Sequence, residues 1–315
     1  MARAATRHRR NPPTPKIRPA AKINMDASQR SAFWQLQGCV VLWGFTSILG
    51  RLITLPALAL VVWRMALAAL LLACLPKVWR GLHRMDAPAL RRHAFAGGVI
   101  ALHWLAFYSA IKLANASVAV ACLAVASVFA AIIEPFVTGR RHERRELLLG
   151  VLAVPGVWLL VGGIPKEMLG GVAAGIVAAV LTATYASLNK RYWSATVEPA
   201  AVTALQLGCG TLLLLAIGLP VLGGETLLTP PGQSDLGWLL VLSIVCTIAP
   251  LLMWLRALQH VSAFTTQLSL NLEPVYAILL AALVFREHQE LTPRFYLGVV
   301  VILATVFLQP RNAPD

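Results

Sequence analysis

Charge is scarce in this sequence, and what there is leans one way. Charged residues make up 13% of the 315, and 13 aspartates and glutamates stand against 27 lysines and arginines, a formal net charge of +14. A soluble domain carries about 25% charged residues, so a large water-facing surface is excluded. The five cysteines (Cys39, Cys74, Cys122, Cys209 and Cys246) stand singly, without CxxC or metal-ligand spacing. They read as small apolar packing residues rather than a zinc site or a disulfide framework. The chain also lacks a glycine-rich phosphate loop, so any pumping draws on ion or solute gradients. Ser109-Ala-Ile-Lys112 fits S-x-x-K by letter only, and His142-Glu-Arg-Arg-Glu146 lacks the second histidine of H-E-x-x-H. Neither enzymatic activity nor a cofactor or metal is expected.

What fills the chain instead is apolar sequence, 58% of all residues. Apolar runs fall at about 33–51, 56–75, 94–112, 116–138, 147–163, 169–189, 199–222, 236–256, 262–285 and 294–309. At 1.5 Å per residue most are long enough for a hydrocarbon core of roughly 30 Å, giving an all-α integral membrane protein of ten spans. Pro56 and Pro199 open the second and seventh runs, where a missing N–H costs little. Pro250 sits inside the eighth and should kink it, freeing the carbonyl of Cys246.

The basic residues sit between the runs, as topology signals do. With ten spans, 21 lysines and arginines fall on the side of both termini, five on the other (Arg51, Lys112, Lys166, Arg286 and Arg294), and Arg64 lies within a span. Both termini are therefore expected in the cytoplasm. Residues 1–30, rich in arginine and proline, read as a disordered basic tail. No apolar segment with a small-residue cleavage site follows it, so a cleaved signal peptide is not expected. Met1 and Met25 both remain candidates for the start.

One stretch near the end organises the rest. The ninth run carries Glu273 near its middle, followed at once by Pro274. A carboxylate at mid-membrane usually faces a protein interior or a water-filled cavity, and the proline leaves the carbonyl of Leu270 without its helical donor. At 100° per residue Thr266, Ser269, Glu273 and Tyr276 share one face, and Gln267 and Asn271 form a second polar strip.

A faint repeat runs through the chain. Phe45-x-Ser47-x3-Arg51 returns 140 residues later as Tyr185-x-Ser187-x3-Arg191; Ala110, Ala116, Val128 and Ala130 match Ala257, Ala263, Val275 and Ala277 at 147; Gly150 matches Gly298 at 148. Two halves of five spans each would be inverted relative to one another, an arrangement that secondary transporters use to hold substrate near the midplane.

Several of these residues also carry a family resemblance. Leu42-Trp-Gly-Phe-Thr-Ser47, Trp63-Arg64-Met65, Leu169-Gly-Gly171, Thr184-Tyr-Ala-Ser187, Lys190-Arg191, Leu272-Glu-Pro-Val-Tyr276, Phe285-Arg-Glu287 and Gly298 resemble the drug/metabolite transporter superfamily, of the kind built from two EamA-type domains. The first half departs from the pattern: Ser127 stands where the second has Pro274, and Arg140 roughly where it has Glu287. The resemblance implies EamA-like five-helix repeats over 31–165 and 166–310. It implies a carrier in a bacterial inner membrane that moves a small organic metabolite, an amino acid or related compound in the export direction. A cavity lined by spans 1–4 and 6–9 would leave the fifth and tenth peripheral. Expected partners are the solute and the bilayer, not nucleic acid, with a homodimer left open. A non-transporting scaffold or sensor that reuses the fold, and a lipid-flipping carrier, are the alternatives.

The site candidates are Arg64, Glu273, Asn271, Tyr276, Trp43, Trp63, His103 and Trp104. Arg64 can hold a substrate carboxylate or phosphate, pair with Glu273, or act structurally by binding freed carbonyls. Glu273 can take and release a proton, or serve helix packing beside Pro274. His103 reads first as a polar packing residue and second as a proton relay. Trp104, Tyr108 and Lys112 share a face by their i, i+4 spacing and read as an interfacial belt with a snorkelling lysine, although Trp104 lies deep enough to line a cavity. Trp43, Trp63 and Tyr276 can box a planar or cationic group, or simply pack. Glu134 can snorkel toward Arg140, Arg141 or Arg144.

Overall fold

The structure is a computed structural model that describes residues 27–139, 141, 144–192, 198–257 and 272–307. Residues 1–26 of the basic tail and Asn271, with Thr266, Gln267, Ser269 and Leu270, lie outside the described residues, whereas residues 27–30, read from the sequence as disordered, form the first turn of a helix. Within them all regular structure is helical. The helices are α1 (Ala27–Leu52), α2 (Ala57–Ala73), α3 (Pro76–His83), α4 (Ala87–Leu113), α5 (Ala116–Leu123), α6 (Ala126–Thr138), α7 (Arg144–Val161), α8 (Leu169–Tyr192), α9 (Pro199–Leu228), α10 (Gln233–Ser243), α11 (Ala249–Ala257), α12 (Glu273–Phe285) and α13 (Pro293–Phe307). A π-turn over Ile244–Ile248 joins α10 to α11.

Local chemistry sets many of the boundaries. Pro56 stands at the N-cap of α2 and Pro199 in the first turn of α9, as the sequence suggested. Asp86 caps α4 by accepting the N–H of Ala89 at 2.8 Å, and Asn115 caps α5 through Val118 at 2.9 Å. Leu75, extended ahead of Pro76, cannot continue α2, and α3 leaves at 89° to it. α3 falls between the second and third apolar runs of the sequence.

Five stretches are individually long and apolar enough to cross a membrane: 87–113, 116–138, 166–192, 199–228 and 233–254. The bent pair α2–α3 makes a sixth if it is one span. α7 opens on Arg144, Arg145 and Glu146, and α12 and Pro293–Ala304 are shorter apolar helices.

Packing follows the repeat. α4 packs on α8 as α11 packs on α1; α4 on α9 as α10 on α2; α6 on α8 as α12 on α1. α2–α9 and α7–α13 pair across the two halves. α6 starts at Ala126 and α12 at Glu273, 147 positions apart and so on the offset of the repeat. A close crossing puts Gly97 of α4 against α9: a Cβ there would lie 2.3 Å from the carbonyl oxygen of Gln206, and one on Gly210 2.6 Å from that of Gly97. Small residues let membrane helices approach this closely and gain dispersion contact.

Candidate functional site

Arg64 lies on α2, and only 2% of it is exposed. Its Nε donates to Thr247 Oγ1 at 2.9 Å and an Nη to the Tyr108 hydroxyl at 2.7 Å. Its guanidinium carbon stands 3.8 Å from the centre of the Trp104 ring, close enough for a cation–π contact. One charge thus joins α2 and α4 of the first half to the π-turn of the second. Tyr108 is fully buried, which corrects the interfacial-belt reading for that residue. Trp104 carries the guanidinium, and Lys112 donates to the carbonyl of Ile53.

The π-turn explains how Thr247 becomes available. Pro250 has no N–H, and the chain accommodates it by widening the turn before it, so that the N–H of Ala249 reaches back to Ile244. The Thr247 hydroxyl donates to the carbonyl of Leu242 at 2.8 Å and accepts from Arg64. The irregularity at Pro250 takes the form of this π-turn, and the carbonyl that the Thr247 hydroxyl ties up is that of Leu242. Ser243 adds a hydroxyl bond to the Arg64 carbonyl at 3.2 Å.

Glu273 opens α12, with Pro274 in its first turn. It is partly buried, and no ion pair joins it to Arg64 among the described residues. Tyr276, one turn on, donates to Gln37 of α1 at 3.4 Å. α1 and α12 meet where Gly44 lies against Tyr276 and Ala277, and Trp43 is the partly buried residue before it. The indole N–H of Trp63 is buried without an acceptor among the described residues. His103 is tied through Nδ1 to the carbonyl of Ala178 on α8 at 2.8 Å, consistent with its packing role. The structure thus brings Arg64 and Trp104 into contact. Glu134 meets Lys190 at 2.6 Å; of the arginines named from the sequence, Arg140 lies outside the described residues.

A second cluster, not assembled by sequence reasoning, gathers where α1, α4, α5, α10 and α12 end or begin. Glu287 is fully buried. It pairs with Arg51 and accepts the N–H groups of Ala116 at 3.1 Å and Ser117 at 2.8 Å, so its charge sits at the N-terminus of α5, where the helix dipole favours an anion. Arg51 also reaches Glu290 at 3.4 Å and lies 4.7 Å over the ring of Phe285; Asn115 reaches Glu290 at 3.1 Å. Arg286 holds a left-handed backbone, φ 57°, a conformation costing about 1 kcal/mol or more in a side-chain-bearing residue that turns the chain back toward α5. Nearby, Asp235 accepts from the N–H and hydroxyl of Thr54 at 2.9 and 2.6 Å.

The other end of the α5–α6 segment meets α8. Arg191, the repeat counterpart of Arg51, donates to the carbonyl of Val137 at 2.6 Å, beside the exposed Lys190–Glu134 pair. Among the described residues no group of three or more His, Cys, Asp or Glu gathers to hold a metal.

A family model described as the EamA-like transporter family matches the chain twice, over residues 32–162 and 169–309. No curated protein matches it. Among solved structures, one described only as "Crystal structure of protein" is similar at 17% identity, covering 88% of this chain and 95% of that one with a TM-score of 0.58. At that identity the likeness concerns the fold alone.

Proposed function

Because the chain belongs to the EamA-like transporter family, whose members are membrane transporters of small molecules, we propose that it is a secondary transporter working by alternating access. Its solute is a small organic metabolite, an amino acid or related compound, carried outward across a bacterial inner membrane. Ten spans form two inverted halves, with both termini in the cytoplasm. The symmetry of the helix pairings and the shared offset of α6 and α12 support the inverted halves.

The observation that carries the reading is Arg64, a charge buried in the bundle with no ion pair to Glu273 among the described residues. A buried ion pair would quench both. Here Arg64 is held by neutral hydroxyls and an aromatic face, which leaves Glu273 for a proton or a cationic group of the solute. The unsatisfied N–H of Trp63, worth about 1–3 kcal/mol when it finds an acceptor, Tyr276, Trp43 and Asn271 complete the proposed site. The Arg51–Glu287 clasp closes one end of this pathway, and the Arg191 contacts close the other. Each opens in turn as the halves rock about the site.

Comparing small metabolites inside and outside cells that lack and that overproduce the protein tests this directly. One or more small polar solutes should build up outside the overproducers and inside the deleted cells. Unchanged profiles in both would contradict export.

A further inference from the structure

Beyond transport itself, we infer that α3 and the start of α4 form a docking site for the headgroup of an anionic phospholipid. α3 turns 89° from α2, so if α2 spans the bilayer α3 lies along its surface. Val78 and Gly81 fix one face of α3 to the start of α9: Val78 is buried, and a Cβ on Gly81 would meet that of Ala201 at 2.6 Å. The opposite face is free, and it is basic. Arg80, His83 and Arg84 are exposed, as are Arg91 and Arg92 on the first turns of α4.

The charge on this surface is unbalanced. Asp86 is occupied in capping α4, and Glu198 pairs with Lys77 at 3.6 Å. Among the described residues none of the four arginines has a carboxylate partner, and Arg92 has only the Tyr192 ring, at 5.8 Å. Beside them lies an exposed apolar border: Leu70 (65%), Trp79 (53%) and Phe95 (62%). Trp79 is anchored through Nε1 to the carbonyl of Ala73 at 2.7 Å, so its ring is fixed at the α2–α3 corner. Leucines and aromatics beside arginines are what a phospholipid needs: apolar surface for the acyl chains at the depth of the corner, and guanidinium forks for the phosphate just outside it. A free anion would be served by the arginines alone.

The test is thermal melting of the purified full chain in neutral detergent, with added phosphatidylglycerol, phosphatidylcholine or soluble glycerol phosphate. Phosphatidylglycerol should raise Tm by roughly 3–6 °C, and the other two should leave it within about 1 °C. Neutralising the patch (Arg80→Gln, Arg84→Gln, Arg91→Gln, Arg92→Gln) should abolish the shift. Lys at the same four positions should keep most of it, and so should Lys166→Gln with Arg286→Gln elsewhere. An equal shift with phosphatidylcholine, an equal shift with glycerol phosphate, or a full shift in the glutamine variant would each overturn the inference. The Lys variant guards against misfolding: if it too loses the shift while melting normally without lipid, the patch is not the site. The readout is independent of transport, so failure here leaves the proposed function standing.

Discussion

The hydroxyl of Tyr108 accepts an N–H of Arg64 at 2.7 Å, joining α4 to α2 inside the bundle. With Thr247 on a further helix, it lets an arginine that is 2% exposed remain charged without a carboxylate in contact. A hydrogen bond to a charged group contributes about 1.5–3 kcal/mol. Tyr108→Phe and Thr247→Val should each lower thermal stability by an amount in that range, and Arg64→Ala by more, because it also empties the face of Trp104. Melting of the purified variants checks this, and an unchanged Tm in Tyr108→Phe would contradict it.

Arg64 and Glu273 should not behave as a buried ion pair. Removing one member of such a pair costs about 3–5 kcal/mol, and removing the second recovers much of the loss. Since no contact joins them among the described residues, the double variant Arg64→Ala/Glu273→Gln should be no more stable than Arg64→Ala. A double-mutant cycle on melting free energies should give a coupling under about 1.5 kcal/mol. A larger coupling would make them structural partners.

The Glu287 clasp should act as a latch. Glu287→Gln weakens the bond to Arg51 and sets an amide N–H2 beside the N–H donors of Ala116 and Ser117. The end it holds should then open more often. In a background without native cysteines, Ala114→Cys should react with a membrane-impermeant thiol reagent several-fold faster when Glu287→Gln is present. Equal rates would leave the clasp purely structural.

The Gly97–Gly210 crossing should tolerate no side chain. Gly97→Ala would drive a Cβ into the backbone of Gln206, so neighbouring helices must separate, and a loss of about 2 kcal/mol or more is expected. Gly208→Ala on the same α9 meets nothing within 4 Å and should be neutral or slightly stabilising. Comparing the two melts separates helix contact from helix propensity.

Much of this was legible in the sequence because it depends on neighbours along the chain. Apolar length located the helices, Pro56 and Pro199 marked two starts, and Pro250 announced the irregular turn that frees Thr247 for Arg64. The repeat of Phe45–Arg51 in Tyr185–Arg191 identified two arginines that hold opposite ends of the α5–α6 segment. What stayed hidden are partners far apart in sequence: Arg64 with Thr247, 183 residues on, and Arg51 with Glu287, 236 residues on. Helical periodicity says which residues share a face but not which helix that face meets. So Tyr108 looked like an interfacial residue, and Glu287 drew notice as part of a motif without its clasp. α3 escaped because eight residues beside arginines carry too little apolar length to register as a helix.

The central claim is transport through a site that uses Glu273, and counterflow into liposomes tests it most directly. Purified protein is reconstituted, the vesicles are loaded with the solute identified from the metabolite profiles, and labelled solute is added outside with and without a pH gradient. The wild-type chain should accumulate label and respond to the gradient, whereas Glu273→Gln should lose uptake or exchange solute without regard to pH. Absence of uptake by the wild type would contradict transport of that solute, and wild-type uptake and pH response in Glu273→Gln would remove Glu273 from the site.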